Sequence, residues 1–148
     1  MTGIAAEPRW DEPLERVAAW WRSQPLPRAF GLTLEALEDG YARLTMPRND
    51  VTVGGIRDGI NGGVLATYAE LAAHVALRTI LDEGGRVVRT QDIGVSYLAS
   101  ALGQPTVAEA RVLRRGRLSV VDVTLTDRES GTLNCRARVS CVIARGPR

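Results

Sequence analysis

Apolar and polar positions along the chain change period twice. In "DEPLERVAAWWRSQP", Leu14, Val17, Ala18 and Trp21 recur at helical spacing. Asp11 is the expected N-cap and Pro13 falls in the first turn, so this segment predicts a short amphipathic helix ending before Pro25. "GLTLEALEDGYARLTMP" then runs at period two and predicts two strands joined by a tight turn at Glu38-Asp39-Gly40. A loop follows over 47–59, with Gly54 and Gly55. From Gly62 to about Leu81 the pattern is helical again, stopped by Gly84-Gly85. Period two returns in four segments, 87–98, 106–114, 118–126 and 132–143. The last is the clearest: Leu133, Cys135, Ala137, Val139, Cys141 and Ile143 face one way, and Asn134, Arg136, Arg138 and Ser140 the other. The order is helix, two strands, one long helix, four strands. Short turns among the last four predict an antiparallel meander.

The long helix is apolar around nearly its whole circumference, which marks a buried helix. A sheet of about six strands curling round it gives an α+β fold. The exceptions are ordered. Thr67, Glu70, His74 and Arg78 share one stripe. The plain alternative is that this stripe faces water and makes weak i,i+4 pairs. Two features weigh against that. The stripe is narrow, and the helix opens with "NGG" rather than an ordinary Ser, Thr or Asp cap. First-turn N–H groups lack intrahelical partners and carry partial positive charge, so Gly62 and Gly63 predict an oxyanion site. Glu70 lies two turns further in, a rise of about 11 Å, and points back toward the N-terminus, so its carboxylate is expected near the same opening.

Composition narrows the classes. The 148 residues fit one domain spanning 1–148, and 45% are hydrophobic. No apolar run approaches the ~20 residues of a membrane span. "MTGIAAEPRW" has no signal-peptide pattern, so a cytoplasmic location is expected, with no membrane partner. A net charge of +2 does not imply nucleic acid, although from Thr106 onward nine arginines face four acids. All 19 basic residues are Arg, which suits bidentate binding of oxyanions. Cys135 and Cys141 read as core residues. One histidine and no CxxC argue against a metal site.

"GINGGVLATYAELAAHVAL" resembles the signature of the hotdog-fold acyl-CoA thioesterases, specifically the PaaI-like and 4-hydroxybenzoyl-CoA thioesterase group. That signature is a His-Gly-Gly followed seven residues later by Asp or Glu on the central helix; here Asn61-Gly62-Gly63 and Glu70 stand at that spacing. "FGLTLEALEDGYARLTMP" is similar to the family's first two strands, "TQDIGVSYLAS" to the strand after the helix, and "VLRRGRLSVVDVTLTDRESGTLNCRARVSCVI" to the last three. The resemblance implies a hotdog fold: an antiparallel sheet of about six strands around one long helix, preceded by a short helix. It implies Glu70 as the catalytic carboxylate, attacking the thioester or activating water, and the Gly62 N–H as the group polarising the carbonyl. His74 stands where relatives often carry Ser or Thr; it could hold Glu70, carry a proton, or be a simple i,i+4 partner. There are departures. Asn61 replaces the family His, Gly55 stands where relatives have Asn or Gln, and the Leu-Arg-Pro-like turn reads Leu98-Ala99-Ser100.

Arg114, Arg115, Gly116, Arg117 and Ser119, with Arg111, form a turn that the resemblance puts near the nucleotide end of coenzyme A. Arginines and turn N–H groups suit phosphate, and the alternative is a solubilising hairpin rim. Gly63 and Tyr68 are further substrate-binding candidates, with Trp20, Trp21 and Leu98 as possible acyl-pocket residues. The expected activity is hydrolysis of an acyl-CoA or acyl-carrier thioester, with no cofactor beyond the coenzyme A of the substrate. Two alternatives stand beside it: an acyl-CoA-binding hotdog without turnover, and a hotdog hydratase-dehydratase acting on enoyl or 3-hydroxyacyl thioesters. The resemblance also implies a homodimer or a tetramer with sites at the dimer seam.

Overall fold

A computed structural model describes residues 5–54, 56–102 and 105–147. The first helix, α1 (Leu14–Ser23), buries Val17 and Trp21 and ends where Pro25 blocks continuation. Its start differs from the expected one. Pro13 occupies the cap position, and Asp11 is instead held by the Arg9 guanidinium at 2.6 Å. A second helix that the pattern did not predict, α2 (Pro25–Phe30), follows at once. Its prolines suggested a break, but they sit in the first turn, where the missing N–H has no intrahelical partner to lose. Gly31, at φ 68°, caps it.

β1 (Thr33–Glu38) and β2 (Tyr41–Met46) form the predicted hairpin. The long helix, α3 (Gly62–Arg78), buries Leu65, Tyr68, Ala69, Ala72, Ala73, Val75, Ala76 and Leu77. It stops three residues short of Leu81. The Thr79 hydroxyl donates to the Ala76 carbonyl at 2.7 Å and accepts the Gly40 N–H at 2.8 Å, tying the helix end to the β1–β2 turn. β3 (Arg86–Tyr97), β4 (Thr106–Arg114), β5 (Leu118–Asp127) and β6 (Leu133–Ala144) complete the chain.

All pairings are antiparallel, in the spatial order β1-β2-β4-β5-β6-β3. The expected four-strand meander is therefore corrected: β4-β5-β6 is one, but β3 pairs with β6 at the far edge. The sequence between the two strands, residues 98–105, is longer than a tight turn requires, so β4 is free to begin away from β3. Among the described residues, no strand covers the outer edge of β3, which is 12 residues long. No helix of the described residues is long and apolar enough to cross a membrane.

The sheet closes on α3 through small residues on both sides, with Ala69, Ala72, Ala73 and Ala76 set against Ala42, Ala108, Ala110, Ala137 and the buried Cys135 and Cys141. Burial pushes the Cys135 thiol up to about 11, so it stays protonated, as a core cysteine does. Tyr68 is 0% exposed. Its hydroxyl donates to the Thr106 carbonyl at 3.0 Å and accepts the Ala108 N–H at 3.1 Å. Tyr68 is thus a core residue that pins α3 to β4, which corrects its place among the substrate-binding candidates. Tyr68→Phe leaves two buried backbone groups without their partner, and is expected to lower the unfolding free energy by about 1–3 kcal/mol in a urea titration.

Candidate functional site

Two loops set the start of α3. The Asn61 N–H donates to the Thr52 carbonyl at 2.9 Å, and the Ile60 N–H to the Ala101 carbonyl at 3.1 Å. Asn61 Oδ1 accepts the N–H of Gly63 at 2.8 Å and of Val64 at 3.4 Å. Asn61 is thus a regular N-cap, among the strongest residue types for that role. This corrects the expectation of an uncapped opening and engages the Gly63 amide. The Gly62 N–H, in contrast, has no partner among the described residues. On its other side the Gly62 carbonyl accepts the Tyr97 hydroxyl at 2.7 Å, and the Tyr97 ring lies against Gly62, 3.4 Å from where a Cβ would stand. Gly55 lies outside the described residues.

Midway along α3, Glu70 and His74 are both half-buried and meet a third side chain from β3. The Thr90 hydroxyl donates to Glu70 Oε1 at 2.5 Å, and His74 Nε2 lies 2.8 Å from the Thr90 hydroxyl oxygen. A hydroxyl has one proton. With that proton given to Glu70, His74 must carry its hydrogen on Nε2 and donate it to Thr90. Burial lowers the His74 pKa below its ordinary value, partly opposed by the charge of Glu70, and so favours the neutral ring. Pattern reading missed Thr90. β3 shifts register against β6 at Val87/Arg89 and at Thr90/Asp92, so strict alternation does not reveal which of its residues face α3. Arg78, the last member of the stripe, leaves the group: it pairs with Glu7 and its guanidinium lies 5.1 Å from the Trp10 ring centre.

Gly62 and Glu70 do not converge as expected within one chain. They are about 12 Å apart along the helix axis at 1.5 Å per residue. Their contacts on β3, Tyr97 and Thr90, lie about 23 Å apart along the strand. A cleft of about 520 Å³ opens beside Gly62, and Glu70 does not line it.

The arginine turn stands near the opposite end of α3. Arg115, Gly116, Arg117 and Ser119 join Arg145 around a cleft of about 630 Å³ that also reaches Ile80. Arg114, expected there too, does not line it. The Ser119 hydroxyl shapes the turn, donating to the Gly116 carbonyl at 2.8 Å and accepting the Gly116 N–H at 3.2 Å. Arg115 also pairs with Asp39, whose carboxyl it holds below the usual range. Of the expected pocket residues, Trp21 is buried in the core and Trp20 packs edge-on against Trp10, while Leu98 lines the Gly62 cleft.

Among the described residues, no group of three or more His, Cys, Asp or Glu side chains could hold a metal ion.

Comparison with known proteins agrees with this architecture. A thioesterase of Haemophilus influenzae superposes with a TM-score of 0.82 at 23% identity, covering 95% of this chain and 96% of that one. A thioesterase variant of Pseudomonas aeruginosa gives 0.80 at 22% identity over 94% and 99%. Zebrafish thioesterase superfamily member 2 gives 0.77 at 23% identity over 89% and 99%. At these identities the likeness establishes the fold. No curated protein sequence matches significantly. The sequence profile of the thioesterase superfamily matches residues 59–134, just over half of the 148, from the residue before Ile60 through α3 and into β6. This chain, with its six antiparallel strands closed on one central helix, belongs to the thioesterase superfamily of thioester hydrolases and has their hotdog fold.

Proposed function

We propose that this protein is an acyl-CoA thioesterase in which Glu70 is the general base. The observation that carries this reading is the hydrogen-bonded line from His74 through Thr90 to Glu70. A half-buried carboxylate with one oxygen fixed by a hydroxyl keeps its other oxygen for a water proton. The base takes a proton from water as the water oxygen bonds to the thioester carbon. The carbonyl oxygen, gaining negative charge, is met by the Gly62 N–H and by the outward amide of Asn61. The C–S bond then breaks, and the proton returns through Glu70 to the departing thiolate. The products are a free acid and coenzyme A. His74 and Thr90 are positioning residues, acting on the carboxylate rather than on substrate.

A base and an oxyanion donor serving one carbonyl must lie within about 6–7 Å of each other, allowing for one water between them. The separation within one chain exceeds that, so the reading requires two copies. The open edge of β3 offers the means, since an unpaired strand is a template for another chain. Antiparallel pairing of two β3 edges about a dyad near Ile93–Gly94 sets Thr90 beside the partner's Tyr97. Glu70 of one copy then faces the other copy's helix opening. In the same arrangement the arginine cleft lies about 15 Å from Glu70 along its own helix, counting the rise from residue 70 to residue 80. An extended phosphopantetheine arm bridges such a distance, which favours coenzyme A, its phosphates held by Arg115, Arg117 and Arg145.

Glu70→Gln keeps the shape and removes the base; its kcat on acyl-CoA, followed by thiol release, is expected to fall by about 10²–10⁴-fold. Thr90→Val is expected to lower kcat with KM nearly unchanged, and Thr90→Ser to restore it. Full hydrolysis by Glu70→Gln contradicts the reading.

His74 predicts a separate pH effect. Its folded-state pKa lies below its unfolded value, so the unfolded chain binds the proton more tightly. That contribution to stability is complete above about pH 6.5 and is lost as the pH falls through the folded value. Urea unfolding from about pH 7.5 down to 5.5 should show the decline, and His74→Gln should flatten it.

A further inference from the structure

The residues on either side of Gly62 are tied down. The Asn61 N–H donates to the Thr52 carbonyl at 2.9 Å, and the Asn61 carbonyl accepts the Leu65 N–H at 3.0 Å. The Gly63 N–H donates to Asn61 Oδ1 at 2.8 Å, and the Gly63 carbonyl accepts the Thr67 hydroxyl at 2.9 Å. Gly62 itself has no side chain, and its N–H is the group that the hydrolysis proposed above needs. Glycine has more backbone freedom than any other residue, so its amide keeps a direction only if something outside holds it. Tyr97 does so. Its hydroxyl donates to the Gly62 carbonyl at 2.7 Å. Apart from the helix backbone and the chain neighbours, the three atoms nearest to where a Gly62 Cβ would stand are all from Tyr97, at 3.4, 3.5 and 3.6 Å. Tyr97 is anchored in turn. It is the last residue of β3, and the next two residues give their N–H groups to the carbonyl of buried Asn134 on β6, at 2.8 and 3.1 Å.

We propose that Tyr97 is a positioning residue for the reaction: its ring and hydroxyl clamp Gly62, so that the Gly62 N–H stays aimed at the thioester oxygen. The proposal rests on the hydrolytic reading above and supplies what that reading lacks, a cause for the order of the oxyanion donor. One strand then holds both halves of the chemistry. Thr90 fixes Glu70, and Tyr97, further along β3, fixes Gly62. Pairing of two β3 edges as described makes Thr90 of one copy and the partner's Tyr97 direct neighbours, their Cβ atoms about 5 Å apart. The base and the amide of one site thus hang from adjacent strand positions, and the register of the pair sets the distance between them. A slip of two residues would shift one against the other by about 7 Å. The 55% exposure of Tyr97 in a single chain is then the face that the second strand covers.

The experiment compares the wild type with Tyr97→Phe, which keeps the ring and removes the hydroxyl. Thiol release from the fastest of acetyl-, hexanoyl-, benzoyl- and succinyl-CoA gives kcat and KM. Nitrogen NMR relaxation gives the order parameter of the Gly62 N–H, and static light scattering and thermal melts report assembly and folding. The Gly62 order parameter should be about 0.85 in the wild type, as in rigid backbone, and fall toward about 0.6 in Tyr97→Phe. With that loss of aim kcat should fall about tenfold, while KM stays within about twofold, because the interaction weakened is made in the transition state. Assembly and melting temperature should change little. An unchanged kcat overturns the proposal, and so does a Gly62 amide that stays as rigid without the hydroxyl. Loss of activity that follows dissociation of the dimer also overturns it, because Tyr97 then joins copies rather than aiming an amide. If Tyr97→Phe does not fold, Tyr97→Leu decides by the same measurements. Glu70→Gln, assayed in parallel, keeps the two readings apart. Full hydrolysis by that variant removes the base assignment, whereas the response of the Gly62 amide to Tyr97 is read without any turnover.

Discussion

A carboxylate on a helix that a sheet encloses has to be held by a donor, and the Thr90 hydroxyl is that donor. Most of α3 is apolar and packs against the sheet through alanines. Glu70 breaks that pattern at a cost that burial imposes on any ionised group. The hydrogen bond from Thr90 offsets this cost and fixes which carboxylate oxygen stays available. His74 in turn fixes the hydroxyl, because a neutral ring with hydrogen on Nε2 leaves Thr90 no choice of direction. A short chain of single protons thus sets the orientation of the one acid on the central helix.

The rest of the molecule positions this line. The alanine contacts let α3 lie close to the sheet, which is why a residue as short as Thr90 reaches Glu70. Tyr68 locks the register of α3 against β4 through two backbone groups. At one end of α3 the Asn61 cap engages two amides and leaves that of Gly62. Near the other end, arginines gather around a polar cleft. One chain therefore carries an apolar hollow, an acid and an arginine-lined cleft at successive levels of one helix.

Much of this was legible in the residues. All six strands, the turn at Asp39-Gly40 and the buried helix follow from periodicity, because each has one face or all faces in the core. The helix α2 was hidden, since Pro25 and Pro27 read as breakers unless their place in a first turn is known. Strand order was hidden for a similar reason: local pattern shows a strand but not which neighbour it finds across residues 98–105. Glu70, Gly62 and His74 stood out by type and spacing, and Asn61 through the resemblance to the family's His-Gly-Gly signature. Thr90 did not, because two register shifts in β3 mask its inward face. The role of Asn61 as a cap was readable from propensity alone and was obscured by the glycines after it.

The central claim is that the Gly62 amide and the Glu70 carboxylate of two different copies act on one thioester. Gly62→Pro isolates the amide. Proline is favoured at the first helical position, and the ψ of 136° at Asn61 already suits a following proline, so the substitution removes the N–H with little other change. The most direct measurement mixes Gly62→Pro and Glu70→Gln subunits, each inactive alone, and follows thiol release from an acyl-CoA. A site shared between copies predicts that mixed dimers regain activity, since one of their two sites then holds an intact Gly62 and an intact Glu70. Mixed dimers as inactive as either parent would contradict the account.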